Sequence, residues 1–254
     1  VSFISGSGDG HGQERHVPIT IEADVLFPKK HDYNSVNYDE YSYLTSSLFG
    51  CHTAGTEEDD TTWADSDHAS MQVYAVRNKK EAKEITFVLT GSHIPHLTSS
   101  LYYDVYNNER WNFAVRIKDE KYPQADLISG SFETGSSGNK YKIEFVGVNA
   151  HAGTIIREFK VEAYLDTELG EDENRGDLDG ASFITAPKRF YIGAHRTNFT
   201  GAVEEYSDVK VGGLRYWLTD LDDDEVRAHA RDATNYGVDS PHQNSYMLQS
   251  SIPD

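Results

Sequence analysis

Apolar and polar positions alternate with a period of two over most of the chain. In the segment from His16 to Phe27, Ile19, Ile21, Ala23, Val25 and Phe27 fall on one face, while Thr20, Glu22 and Asp24 fall on the other. Successive side chains of an extended chain point to opposite sides, so this pattern predicts a half-buried strand with its polar face toward water. Comparable runs occur at 47–53, 69–77, 84–90 and 100–106. Trp111-Asn-Phe-Ala-Val-Arg-Ile117 places Trp111, Phe113, Val115 and Ile117 on one side and Asn112 and Arg116 on the other. Two longer runs, 141–148 and 154–165, flank Asn149-Ala-His-Ala-Gly153, which predicts a hairpin. Further strands are expected at 181–185, at 189–194 and within 199–218, giving roughly ten or more. No amphipathic helices separate them, so the reading is a single antiparallel sandwich and not a parallel α/β sheet.

One helix is expected, in 219–231. Asp220, Asp222, Asp223, Asp224 and Glu225 crowd its start and Arg227, His229 and Arg231 its end, the arrangement a helix dipole favours. Leu221, Val226 and Ala230 give it a modest apolar stripe, which is expected to lie against the sandwich edge.

Composition narrows the functional classes. The 254 residues hold 42 Asp and Glu against 23 Lys and Arg, a net charge of −19, which repels nucleic-acid backbones and anionic lipid. Cationic partners, metal ions and neutral sugars stay open. With 12% aromatic residues the chain is too rich in rings for a disordered acidic tail. A lone Cys51 makes no internal disulfide, and no apolar run reaches the roughly 18 residues of a membrane-spanning helix. Residues 1–15, rich in Gly and Ser, read as a linker; 16–236 as the domain; 237–254 as a C-terminal extension or linker. With neither an initiator Met nor a basic signal-peptide front, the chain is expected to be part of a longer polypeptide.

The order of Trp111-Asn-Phe-Ala-Val-Arg-Ile117, the hairpin, Phe190-Tyr-Ile-Gly-Ala194, Phe199-Thr-Gly-Ala-Val203 and Tyr216-Trp217 through Leu221 to Glu225-Val226 resembles a laminin-G-like domain of the concanavalin A-like lectin/glucanase superfamily. The resemblance covers about residues 17–233. It implies an all-β fold, an antiparallel two-sheet jelly-roll sandwich with one short C-terminal helix. The ending His229-Ala-Arg-Asp-Ala-Thr-Asn-Tyr-Gly237 is similar to the close of such modules in large phage or virus structural proteins, which implies a surface or assembly role on a particle. One scaffold of this kind hosts lectins, adhesion modules, glycanases and lyases, so activity must be argued from the site.

Glycoside hydrolases of this superfamily carry Glu-x-Asp-x-x-Glu on one strand face, and that pattern is absent. The nearest set, Glu158, Glu162 and Asp166, shares a face, but residues four apart on a strand are about 13 Å apart, against about 5–5.5 Å for a retaining pair. Tyr122-Pro-Gln124 resembles one piece of a lyase motif whose companion strands are missing. The expectation is therefore a non-catalytic adhesion or assembly module, with a polysaccharide hydrolase or lyase, or a purely structural assembly domain, as the rivals.

Two carboxylate-dense loops suit a hard cation, which takes oxygen ligands. The resemblance implies calcium at the sandwich rim, and the candidate ligands are Asp65, Asp67, Asp172, Asp177 and Asp179, with Asp59 and Asp60 beside them; the competing account is that these acids solvate loops. The spacing from Asp172 to Asp177 is not that of an EF-hand. Close histidine pairs occur only at His93 with His96 and His11 with His16, without cysteine partners, and read as incidental. Cys51 reads as a small buried hydrophobe. The Arg175-Gly-Asp177 tripeptide and the Asn198-Phe-Thr200 sequon decide nothing alone. Sugars offer apolar ring faces to aromatic platforms, so Tyr38, Tyr41, Trp63, Tyr102 and Tyr103 are the ligand-binding candidates, with Tyr33, Tyr43 and Tyr106 in the same groups. The expected partners are glycans or neighbouring structural subunits, with no nucleic acid and no membrane insertion, and the expected location is a virion surface or the extracellular space.

Overall fold

The computed structural model describes residues 18–29, 43–53, 69–79, 83–92, 94–119, 141–165, 183 and 187–237. The strands are β1 (Ile19–Phe27), β2 (Thr45–Thr53), β3 (Met71–Val76), β4 (Glu84–Thr90), β5 (Leu97–Thr98), β6 (Tyr102–Tyr103), β7 (Glu109–Asp119), β8 (Tyr141–His151), β9 (Thr154–Leu165), β10 (Lys188–Ile192), β11 (His195–Arg196), β12 (Val203–Glu205) and β13 (Lys210–Trp217). A 3-10 turn spans Thr197–Phe199, and helix α1 spans Asp223–Arg231. The first sheet runs β13-β1-β7-β8-β9 and the second β10-β2-β3-β4-β5, with β6 paired to β4, and every pairing is antiparallel. The fold is an all-β two-sheet jelly-roll sandwich with one short C-terminal helix.

Alternation places the core between the sheets. Ile21, Val25, Phe27, Trp111, Phe113, Val115, Ile143 and Phe145 of the first sheet meet Cys51, Met71, Val73, Ile85, Phe87 and Leu89 of the second, all fully buried. Gly147 makes room for Phe159 on the neighbouring strand, because a Cβ there would stand 2.2 Å from the Phe159 ring. The β8–β9 hairpin closes through Ala152 and Gly153, both at positive φ (49° and 77°), the requirement of a tight type I′ turn.

Two expectations are corrected. First, β1 is buried on both faces: Thr20 and Glu22 are wholly inaccessible and Asp24 nearly so. Second, α1 lies on the outer face of the first sheet and not at its edge. Leu221, Val226 and Ala230 pack there on Ala114, Val146 and Val148. A capping box starts the helix: the Asp222 carboxylate accepts from the Glu225 amide at 2.8 Å, and the Asp222 amide donates to the Glu225 carboxylate at 2.7 Å. The run expected at 100–106 reduces to the two residues of β6, and that expected in 199–218 divides into β12 and β13. Of 181–185, only Phe183 lies among the described residues.

Candidate functional site

Each sheet has an outer face where polar side chains converge. On the second sheet, residues that alternate away from the core are His52 of β2, Tyr74 of β3, and Arg189 and Tyr191 of β10. The β11–β12 ribbon is laid over them. Its backbone is held by Gly193 N–H donating to Leu48 O at 2.8 Å and Ser47 N–H donating to Tyr206 O at 2.9 Å. Beyond the ribbon, Asp208 is paired with Arg77 at 2.7 Å, and the half-buried Tyr106 donates to the same carboxylate.

The ribbon brings His195 to His52, with Nε2 to Nε2 at 3.0 Å and both side chains buried. Tyr191 stacks on His195 at 4.7 Å, and the Phe199 ring stands edge-on to His52 at 5.2 Å with the Arg189 guanidinium 4.0 Å above it. Gly50 permits this layer: a Cβ there would stand 2.5 Å from both Met71 O and the Tyr191 hydroxyl. On the far side of His195, Nδ1 faces the Glu205 carboxylate at 3.9 Å, and Tyr74 donates to Glu205 at 2.5 Å. Burial, with the charges of His195 and Arg189, pulls the His52 pKa down to about 4, and burial lowers that of His195 as well, against the pull of Glu205 and Glu204. Both imidazoles are neutral at pH 7.

The second layer lies beneath α1. Glu22 accepts from Asn112 Nδ2 and Trp217 Nε1, each at 2.8 Å, and from His229 Nδ1 at 3.0 Å, while Arg215 approaches it at 3.5 Å and pairs with Asp24 at 2.6 Å. His229 also donates from Nε2 to Gly237 O at 2.8 Å. Both partners of that imidazole are acceptors, so only the cation satisfies both bonds. Burial pulls the His229 pKa down, but the hydrogen bond and charge of Glu22 and the Gly237 carbonyl outweigh it, leaving the pKa raised above 6.5.

A folded state that holds a proton more tightly than the unfolded chain gains stability below the unfolded pKa and loses that gain as pH rises through the folded value. Urea unfolding of the wild type from pH 6 to pH 9 should therefore show stability falling by more than in His229→Gln, which lacks the titrating group. Parallel profiles would contradict a cationic His229.

Of the ligand-binding candidates, Tyr102 and Tyr103 are described. The Tyr102 ring is half-buried against Phe87, Trp111 and Phe159, and its hydroxyl donates to Glu158 O at 3.0 Å. Tyr103 points outward, 57% exposed. The candidates Tyr38, Tyr41, Trp63, Asp65, Asp67, Asp172, Asp177 and Asp179, and also Asp166, lie outside the described residues. Among the described residues no group of three or more His, Cys, Asp or Glu side chains is placed to hold a metal ion. Cys51 is fully buried and its thiol pKa is pushed up to about 12 by that burial. Tyr43, from the tyrosine-rich stretch, stacks on Tyr206 at 4.9 Å and 13° between planes, and Tyr206 is 52% exposed. Sequence reading missed His52, His195 and Tyr206.

Of the segments singled out in the sequence, Trp111 lies in β7, Ile192-Gly193 at the end of β10, Phe199-Thr-Gly201 in the turn into β12, and Trp217 to Val226 runs from β13 into α1. No protein-family model and no curated protein sequence matches the chain. Among solved structures it is similar to a native heptameric SAP-like pentraxin from Limulus polyphemus, at 12% identity and a TM-score of 0.40, over 85% of this chain and 70% of that one. A likeness of that strength says nothing about the site.

Proposed function

We propose that the chain is a non-catalytic binding module of a larger extracellular or virion-surface protein, acting in adhesion or assembly and engaging a glycan or a neighbouring subunit through its rims. The observation that carries this reading is the pairing of the carboxylates on the outer face of β8 and β9. Glu158 is bound by Arg227 at 2.9 Å, Glu162 by Lys142 at 2.7 Å, and Glu144 by Arg116, Lys142 and Lys160 at 3.0–3.1 Å. A glycosidase acid needs a raised pKa. Burial pushes Glu144 up, but Arg116 and the two lysines outweigh it and hold the carboxyl below its usual range. Each of the three carboxylates is held in a salt bridge.

Among the described residues, Tyr206 backed by Tyr43 and the outward Tyr103, at the margins, offer ring faces of the kind sugars stack on. A glycan array with the wild type should give hits that weaken roughly three- to tenfold in Tyr206→Ala or Tyr103→Ala. Reducing-sugar release from a polysaccharide panel, abolished by Glu162→Gln, would overturn the non-catalytic reading. A blank array with copurification in a particle or oligomer would move the function from sugar to protein assembly.

A further inference from the structure

We propose that His52 and His195 form a two-histidine site for a divalent late first-row transition-metal ion, roofed by Phe199. The residues come from β2 and β11, 143 positions apart, and their Nε2 atoms converge at 3.0 Å. Two imidazole nitrogens bound to one tetrahedral ion at about 2.0–2.1 Å stand about 3.3 Å apart, so a slight turn of either ring admits the ion.

The surroundings orient the pair for this. His195 Nδ1 faces the Glu205 carboxylate at 3.9 Å, beyond hydrogen-bond reach, and the other oxygen of Glu205 accepts from Tyr74; the negative charge on that side favours the proton on Nδ1, which leaves the Nε2 lone pair toward His52. With that tautomer of His195, His52 donates from Nε2 to His195 Nε2 in the metal-free protein. On binding, that proton moves to Nδ1 of His52, so the ring stays neutral, and both Nε2 lone pairs go to the ion. Two nitrogen donors suit copper, nickel or zinc and not calcium, which takes oxygen. The remaining coordination positions go to water.

Phe199 stands over the pair. This residue holds φ at +62°, a left-handed conformation costly for a bulky side chain, at the tip of the ribbon, with its ring against His52. Backbone strain of this kind persists where packing enforces it, and here the enforced side chain is the cover of the histidine pair.

The test is titration of the metal-stripped chain with Cu(II), Ni(II), Zn(II) and, as control, Ca(II), with electron paramagnetic resonance on the first equivalent of Cu(II). Expected are saturable one-to-one binding of the transition ions, strongest for copper and unaffected by added calcium, and hyperfine splitting from two imidazole nitrogens. Affinity should fall roughly 10–100-fold in Glu205→Gln and further in His195→Gln. Near-UV circular dichroism checks that each variant is folded; should His195→Gln fail to fold, the wild-type spectrum and Glu205→Gln decide. No saturable binding of any transition ion, or a first-equivalent spectrum and affinity unchanged in Glu205→Gln, His52→Gln and His195→Gln, would overturn the proposal by assigning any bound copper to other histidines.

Discussion

Glu22→Ala should lower folding stability by about 3–5 kcal/mol, the range for removing one partner of a buried charge pair. The carboxylate is fully inaccessible and accepts from Asn112, Trp217 and His229 with Arg215 alongside. Alanine leaves an imidazolium, a guanidinium and two N–H donors around a hole that no side chain fills. The loss exceeds what the pair contributes net, because the remaining charges keep their desolvation cost without the anion that offset it. Urea unfolding at pH 6, followed by circular dichroism, measures it as a shift of the midpoint at constant slope. Glu22→Gln keeps the volume and should fall between the wild type and alanine, and adding His229→Gln to it should recover part of the loss, since the two residues share one interaction. A Glu22→Ala loss under about 1 kcal/mol would mean that water already enters beneath α1 and that the network is open.

That same residue marks the limit of reading this fold from its sequence. The alternation in β1, β7 and β8 identified the core-facing residues because a buried face leaves a local signature of period two. It assigned Thr20, Glu22 and Asp24 to solvent because polarity was taken for exposure, whereas their cover, α1 and the segment after it, begins some two hundred residues later. The helix itself was legible from its crowded N-terminal acids, one of which, Asp222, forms the cap. Its seat was not, since a short stripe of Leu221, Val226 and Ala230 fits an edge as well as a face. The pair His52 and His195 left no trace at all: each stands alone in sequence, and only the return of the chain through β11 brings them together. Tyr102 and Tyr103 show the opposite limit. Adjacent residues of one type were read alike, and β6 turns one into the core and the other outward.

Phe87→Ala should cost about 3–5 kcal/mol, the range for truncating a large buried ring, and toward its upper part if the hole cannot collapse. Phe87 occupies the middle of β4, and its ring lies 4.9 Å from Trp111, 4.8 Å from Phe113, 5.7 Å from Phe159 and 5.8 Å from Phe27, centroid to centroid. Those four rings belong to β1, β7 and β9, so one side chain of the second sheet is wedged among three strands of the first. Stiff rings with two rotatable bonds each close poorly around a void, which is why the contacts are lost outright. The backbone of Phe87 is fixed too, donating to Ser99 Oγ and accepting from the Ser99 amide at 2.9 Å each, so β4 has little freedom to move inward. Tyr102 leans on the same ring at 5.9 Å, which ties the cavity to the rim: Tyr103, the next residue, should lose its fixed position when Phe87 is cut back. Urea unfolding gives the stability, and tryptophan emission in a Trp63→Phe, Trp217→Phe background, where Trp111 is the one remaining indole, reports the hole. Phe87→Leu, which fills most of the space, should cost about half as much. An alanine variant within about 1.5 kcal/mol of the wild type, with unchanged tryptophan emission, would show that the two sheets are not interlocked through this ring.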